Sequence, residues 1–331
     1  MITAIGSLPF VNVDEAIDHI FSSCREVPFW PQLPKRSFLE DMYVQFLEQV
    51  PSVIIDEQNE RVYVDTSITS GIERFYEDVA TNNLEAFPVS EAAAPGLYRL
   101  VERLSEIKDD VKIIKGQLTG PFTIGLGLKD EKGQPVMYNS AYFDIIKKAL
   151  HMKAAWMITF IKSRFPDKEV MLFFDEPFMV SFGSAFVSIA KSDVVSLMNE
   201  VLAGLGVKRG VHCCGNTDWS VLFSVDTDII NYDAINFLET IFYFKDELAA
   251  FLRKGGAIAP GLVSSSEAVL SSSVENVVGL WHKFGEAVDA LGLGAKWQEW
   301  FVTPSCGVGS LSQQAAKRVL ELLAAFETAR K

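Results

Sequence analysis

Two short runs hold the groups with the widest chemical reach. VHCCGN contains His212, Cys213 and Cys214, and VTPSCG contains Cys306, 92 residues beyond Cys214. Each run closes a short apolar stretch with the character of a strand. Alternate residues of a strand face opposite ways, so His212 and Cys214 share a face while Cys213 turns back into the protein. One imidazole and two thiolates make a three-ligand nitrogen and sulfur set. That set suits Zn²⁺ and leaves a fourth position open, as catalytic rather than structural zinc sites do. Cysteines also fill cores as small apolar side chains. Two of four cysteines and one of four histidines at strand ends exceed what burial alone asks.

The elements that must position these groups can be read from periodicity. Strand candidates are Thr3–Leu8, Val27–Trp30, Val111–Lys115, Val170–Phe174, Val207–Val211, Ile229–Tyr232, Ala257–Leu262 and Trp300–Thr303. Amphipathic stretches fall between them, over Val13–Ser22, Phe38–Gln49, Ala141–Ser163, Ala185–Leu205, Asp218–Ser224, Phe244–Arg253, Val274–Ala290 and Gln313–Ala325. Apolar spacings of three and four in AFVSIAKSDVVSLMNEVLAGL and KRVLELLAAF support helices. Eight strands each feeding a helix predict a single α/β domain over residues 1–331, a (β/α)8 TIM barrel. The interval between the second and third strands is too long for one helix. SVIIDEQNERVYVD reads there as a hairpin, followed by helices near Gly71–Ala80 and Pro95–Glu106. Residues 53–110 are therefore expected as an excursion after strand 2, forming one wall of a wide cleft. Ser273 is a candidate N-cap.

In such barrels, function collects at the carboxyl ends of the strands. Polar groups crowd those ends here: Ser7, Arg36, Gln117 with Thr119, Asp175 with Glu176, His212 with Cys214, Asp233 and Cys306. Each alone has an ordinary explanation in capping or a surface ion pair. Their coincidence marks one end of the barrel.

Composition narrows the class. The 331 residues are 49% hydrophobic with 24 Phe, enough for a large core, and carry a net charge of −13, which argues against nucleic-acid backbones as partners. No run approaches the roughly 20 apolar residues of a membrane span. The opening MITAIGSLPFVN lacks the basic and apolar regions of a secretory signal. Four cysteines at 24, 213, 214 and 306 do not form a disulfide framework. The expectation is a cytoplasmic enzyme.

GSLP at the first strand, QLTGP at the third, FDEP at the fourth, HCCGN at the fifth and TPSCG at the eighth resemble, in order and spacing, one superfamily. They are similar to the catalytic barrel of cobalamin-independent methionine synthase and its relatives, the zinc-dependent methyltransferases that act on coenzyme M. Uroporphyrinogen decarboxylase shares that fold. The resemblance runs from Ile5 to about Leu311, and its specific part is the HxC…Cys pattern. It implies zinc held by His212, Cys214 and Cys306, with an acidic fourth ligand after the sixth strand. Asp233 takes that position and Glu239 is the alternative; Asp233 could instead accept a hydrogen bond from His212.

By the same resemblance Ile5, Ser7 and Asp175 fall where those enzymes hold homocysteine, with Asp175 facing the ammonium. Arg36 stands where an acid is expected, and an arginine suits a carboxylate or sulfonate better. The complete methionine synthases are about twice as long, because a preceding barrel helps bind methylfolate. A core-only enzyme is expected to use a methylcorrinoid donor. The chain lacks a D-x-H-x-x-G corrinoid motif, so the corrinoid would arrive free or on a separate corrinoid protein. The readings left open are methylation of homocysteine to methionine, methylation of a coenzyme M-type thiol, and a uroporphyrinogen decarboxylase-like decarboxylation.

Overall fold

The computed structural model describes residues 1–185 and 187–330. Its frame is a parallel sheet of six strands in chain order: β3 (Ile113–Thr119), β4 (Glu169–Asp175), β5 (Lys208–Cys213), β6 (Ile229–Asp233), β7 (Ala257–Val263) and β8 (Thr303–Pro304). At least one helix follows each strand, as parallel pairing requires. β1 (Val53–Asp56) and β2 (Arg61–Val64) form a separate antiparallel hairpin in the expected place.

The first two expected strands are not ladders. Thr3–Leu8 and Val27–Trp30 are represented by single parallel bridges, Ile2 to Val302, Ser7 to Gln32 and Phe29 to Lys115. Gly6 shows why this segment stays irregular. Its φ of +153° is one that few side chains adopt, and a Cβ there would lie 2.5 Å from Gln117 Nε2 and 2.6 Å from Gln32 Oε1.

Alternation along the strands splits the core in two. Ile113, Met171, Phe173, Ile229 and Ala259 pack with Val27 and Phe301 in a small cluster. Their even-numbered neighbours Ile114, Leu172, Phe174, Ile230 and Ile258 belong to the main core, against which the helices pack. Lys115 and Asp175 continue the small cluster's face, and Lys115 Nζ lies 4.9 Å over the Phe173 ring. The face that carries polar groups at its carboxyl end is thus the one opposite the helices.

One expected helix is absent. Phe38–Gln49 forms two short 3₁₀ turns, Phe38–Glu40 and Val44–Phe46. Asp41 separates them, because its Oδ1 accepts from the backbone N–H of Tyr43 at 2.8 Å and of Val44 at 3.4 Å. A side chain that satisfies nearby amides in this way competes with helical pairing. Ser273 does begin the helix Val274–Asp289, through a capping box with Asn276. No helix among the described residues is long and apolar enough to cross a membrane.

Candidate active site

The site forms where β4, β5 and β6 end side by side. Register pairs Asp175 with His212 and His212 with Asn231, so three polar residues sit in a row across the sheet. Cys214 follows β5 immediately and Cys306 follows β8. The ligand atoms of His212, Cys214 and Cys306 all lie within 4.8 Å of one another. Cys213 points away, is buried in the main core, and donates its thiol to Gly215 O at 3.4 Å.

This donor set fits a zinc ion. His212 is buried, and its Nδ1 lies 2.5 Å from Asn231 Oδ1, while Nε2 is buried with no hydrogen-bond partner among the described residues. A buried nitrogen without a partner costs free energy that a metal would recover. Proton sharing between the thiols points the same way. The hydrogen bond from Cys306 and the neighbouring imidazole bring the Cys214 thiol down to about 4, and the Cys306 thiol is raised in turn. Burial acts against a charged His212, but the Cys214 thiolate and Asp175 outweigh it, and the net direction is upward. Of the three groups, the Cys214 sulfur is the one held as a thiolate, the form in which a cysteine binds a metal.

Beside these ligands lies a cavity of about 320 Å³. Ile5 and Ser7 line one side, and Asp175 lines it next to His212 and Cys214. Ser7 is pinned by backbone contacts: its carbonyl accepts from Val308 N at 3.0 Å, and its hydroxyl accepts from Gly309 N at 3.3 Å. Asp175 Oδ1 is buried with no hydrogen-bond partner among the described residues. Burial raises this carboxyl to about 6, against the pull of His212 and Lys115. The cavity is thus lined by a carboxyl group close to the sulfur atoms of Cys214 and Cys306.

Three of the expected residues lie apart from this cluster. Asp233 is not among the converging ligand atoms. Its carboxylate caps the turn Ala234–Phe237, accepting from Ile235 N, Asn236 N and Asn236 Nδ2, so its oxygens are already engaged. Asn231, not Asp233, is the hydrogen-bond partner of His212 Nδ1. Glu239 is exposed and pairs with Lys283 at 2.9 Å. Arg36 does not line the cavity; it turns to Glu40 at 2.7 Å.

Residues 53–110 are likewise not among those lining this cavity. The hairpin instead borders a neighbouring groove with Lys129 and Asp130, which meets the cavity at Asp41.

The acids at the rim were not singled out as site residues from the sequence. Glu40 and Asp41 both line the cavity, together with Gln32. Glu40 is buried, accepts from Leu33 N at 3.1 Å, and is raised by burial against the pull of Arg36. A helical pattern over 38–49 gives these acids no special place, and the signal for the break is a lone aspartate.

No family model matches the chain, and no curated protein matches it in sequence. Solved structures do. A methyltransferase from Methanosarcina mazei superposes with a TM-score of 0.55 at 14% identity, covering 98% of this chain and 94% of its own. A protein from Listeria monocytogenes assigned as a vitamin-B12-independent methionine synthase gives 0.56 at 14%, over 96% and 85%. A B12-independent methionine synthase from Shewanella sp., solved with selenomethionine, gives 0.46 at 18%, over 70% of this chain, which spans 66% of that protein's length. The likeness to the Methanosarcina and Listeria proteins is one of fold: helices around a curled parallel sheet, as in TIM-barrel proteins.

Proposed function

We propose that this chain is a zinc-dependent thiol methyltransferase, built as an eight-stranded barrel whose first two strands join through the bridges at residues 2, 7 and 29. The supporting observation is the meeting, at one cavity, of a His–Cys–Cys donor set and the Asp175 carboxyl group. His212, Cys214 and Cys306 would hold the zinc. Bound there, the ion supplies Lewis acidity that lowers the pKa of an incoming thiol, ordinarily about 8.5. The remaining work falls to the chain. Asp175 receives an α-ammonium through its carboxylate, and Asp41 adds a second acidic side chain to the lining of the cavity. Ser7 and Ile5 position the other end of the acceptor. The cavity lies at the small end of the ~300–1,000 Å³ range of ligand pockets, a fit for an amino acid.

Homocysteine is the proposed acceptor, and methionine the product. A coenzyme M-type sulfonate has no ammonium for Asp175, and the one arginine expected to greet it is paired with Glu40. The same pairing removes the cation that a decarboxylase of polyanionic substrates would use. The methyl group is proposed to come from a methylcorrinoid, free or on a separate protein. The activities named for the Methanosarcina and Listeria structures accord with this reading.

The test offers zinc-loaded protein methylcobalamin with homocysteine, coenzyme M or simple thiols in parallel, following the cobalamin spectrum. Demethylation dependent on homocysteine and abolished by removing the metal is expected. Protein that takes up no zinc, or that methylates none of these thiols, overturns the proposal.

A further inference from the structure

Asn231 is a polar residue at a place where packing asks for an apolar one. It is fully buried on β6, on the same face as Ile229 and beside Ala259 of the small inner cluster. An amide buried there is costly unless its hydrogen bonds are made. They are. Nδ2 donates to Ala259 O at 2.5 Å and to Thr303 Oγ1 at 2.7 Å, and Oδ1 faces His212 Nδ1.

Proton counting leaves this amide one orientation. Thr303 gives its only hydroxyl proton to Pro304 O at 2.8 Å, so toward Asn231 it can only accept. The Ala259 carbonyl also only accepts. Both demand an N–H, and Asn231 Nδ2 has two. The carbonyl oxygen is left for His212. A carbonyl accepts, so Nδ1 must carry a proton, and Nε2 is the nitrogen free to bind a metal.

We propose that Asn231 is a positioning residue that locks the His212 ring so that Nε2 faces the metal position beside Cys214 and Cys306. The proposal rests on the zinc reading above. The same amide also ties two ligand-bearing regions together, because Thr303 lies three residues before Cys306. Loss of such an outer partner of a ligating histidine commonly lowers metal affinity about 10- to 100-fold.

Zinc affinity is measured by competition with a chromogenic chelator for the wild type, Asn231→Leu and Asn231→Asp, alongside thermal melts of each metal-free protein. Leucine matches asparagine in size but accepts nothing from Nδ1; a carboxylate still accepts, while opposing the Ala259 carbonyl. Both variants are expected to melt lower. Only Asn231→Leu is expected to bind zinc about 10- to 100-fold more weakly, with Asn231→Asp within a few-fold of wild type. Equal affinities for Leu and wild type overturn the proposal and leave the zinc reading standing. Equal losses in Leu and Asp also overturn it, since affinity would then follow stability rather than the acceptor. Wild-type protein without zinc affinity overturns both.

Discussion

At the residue scale, alternation along β5 makes a sharp prediction. Three ligands cannot spare one, so Cys214→Ala, Cys306→Ala or His212→Ala should lose most bound zinc by elemental analysis. Cys213→Ala should keep it, because that thiol lies in the main core and bonds Gly215. The reverse pattern would mean that the strand register is wrong. Asp175→Asn should leave zinc content near wild type while weakening use of an amino-acid thiol by about 2–4 kcal/mol, the scale for a lost ion pair in a closed site. The check is kcat/KM with homocysteine against a thiol lacking the amino group, which should suffer far less. The convergence of Cys214 and Cys306 on His212 was legible in the sequence because residue type and spacing together are specific. Asn231 was not, since a buried asparagine announces itself only through partners on three other strands.

At the element scale, the ladders from β3 to β8 followed from hydrophobic alternation, whereas the segment before them did not form the ladders its pattern suggests. Residues 3–8 and 27–30 are apolar enough for strands, yet Gly6 lets the backbone pass close to Gln32 and Gln117 and breaks the pairing. Gly6→Ala should therefore destabilise by about 1–3 kcal/mol, through strained φ and overpacking together. Denaturant titration checks this, and shortening Gln117 in the same chain should return part of the loss. β3 carries a second device. Lys115 is buried, donates to Ile5 O at 2.7 Å, and burial lowers its ammonium to about 8. Between about 8 and the unfolded value near 10.5 the unfolded chain binds more protons, so this group makes stability rise with pH across that window. Stability measured against pH should rise more steeply in wild type than in Lys115→Met. Matching slopes would show that Lys115 is not held in this way. The 38–49 segment misled the pattern for a local reason: the Asp41 side chain takes the amides that a helix would have used.

At the scale of the whole molecule, the question is how two reactants of very different size meet. The cavity holds about 320 Å³ and is bounded by residues from five separate stretches of the chain, so the proposed amino-acid acceptor would fill it. The proposed corrinoid donor, large and flat, would not fit beside such an acceptor and would present its methyl group from outside. The groove bordered by Arg61, Tyr63 and Lys129 adjoins the cavity at Asp41, on the side where the β1–β2 hairpin stands. A donor arriving there would rest against the hairpin rather than within the site. Thiol-dependent loss of the methylcobalamin spectrum should then slow when Tyr63 and Arg61 are both replaced by alanine. Zinc binding and affinity for homocysteine should be unchanged, because neither residue lines the cavity. Stopped-flow traces separate the two effects, since a donor-side defect raises the methylcobalamin concentration needed for half-maximal rate and leaves the homocysteine dependence alone. Equal rates in the double variant would move the donor to another approach. Turnover of methylfolate with no demethylation of methylcobalamin would remove the corrinoid altogether and leave the acceptor half of the site intact.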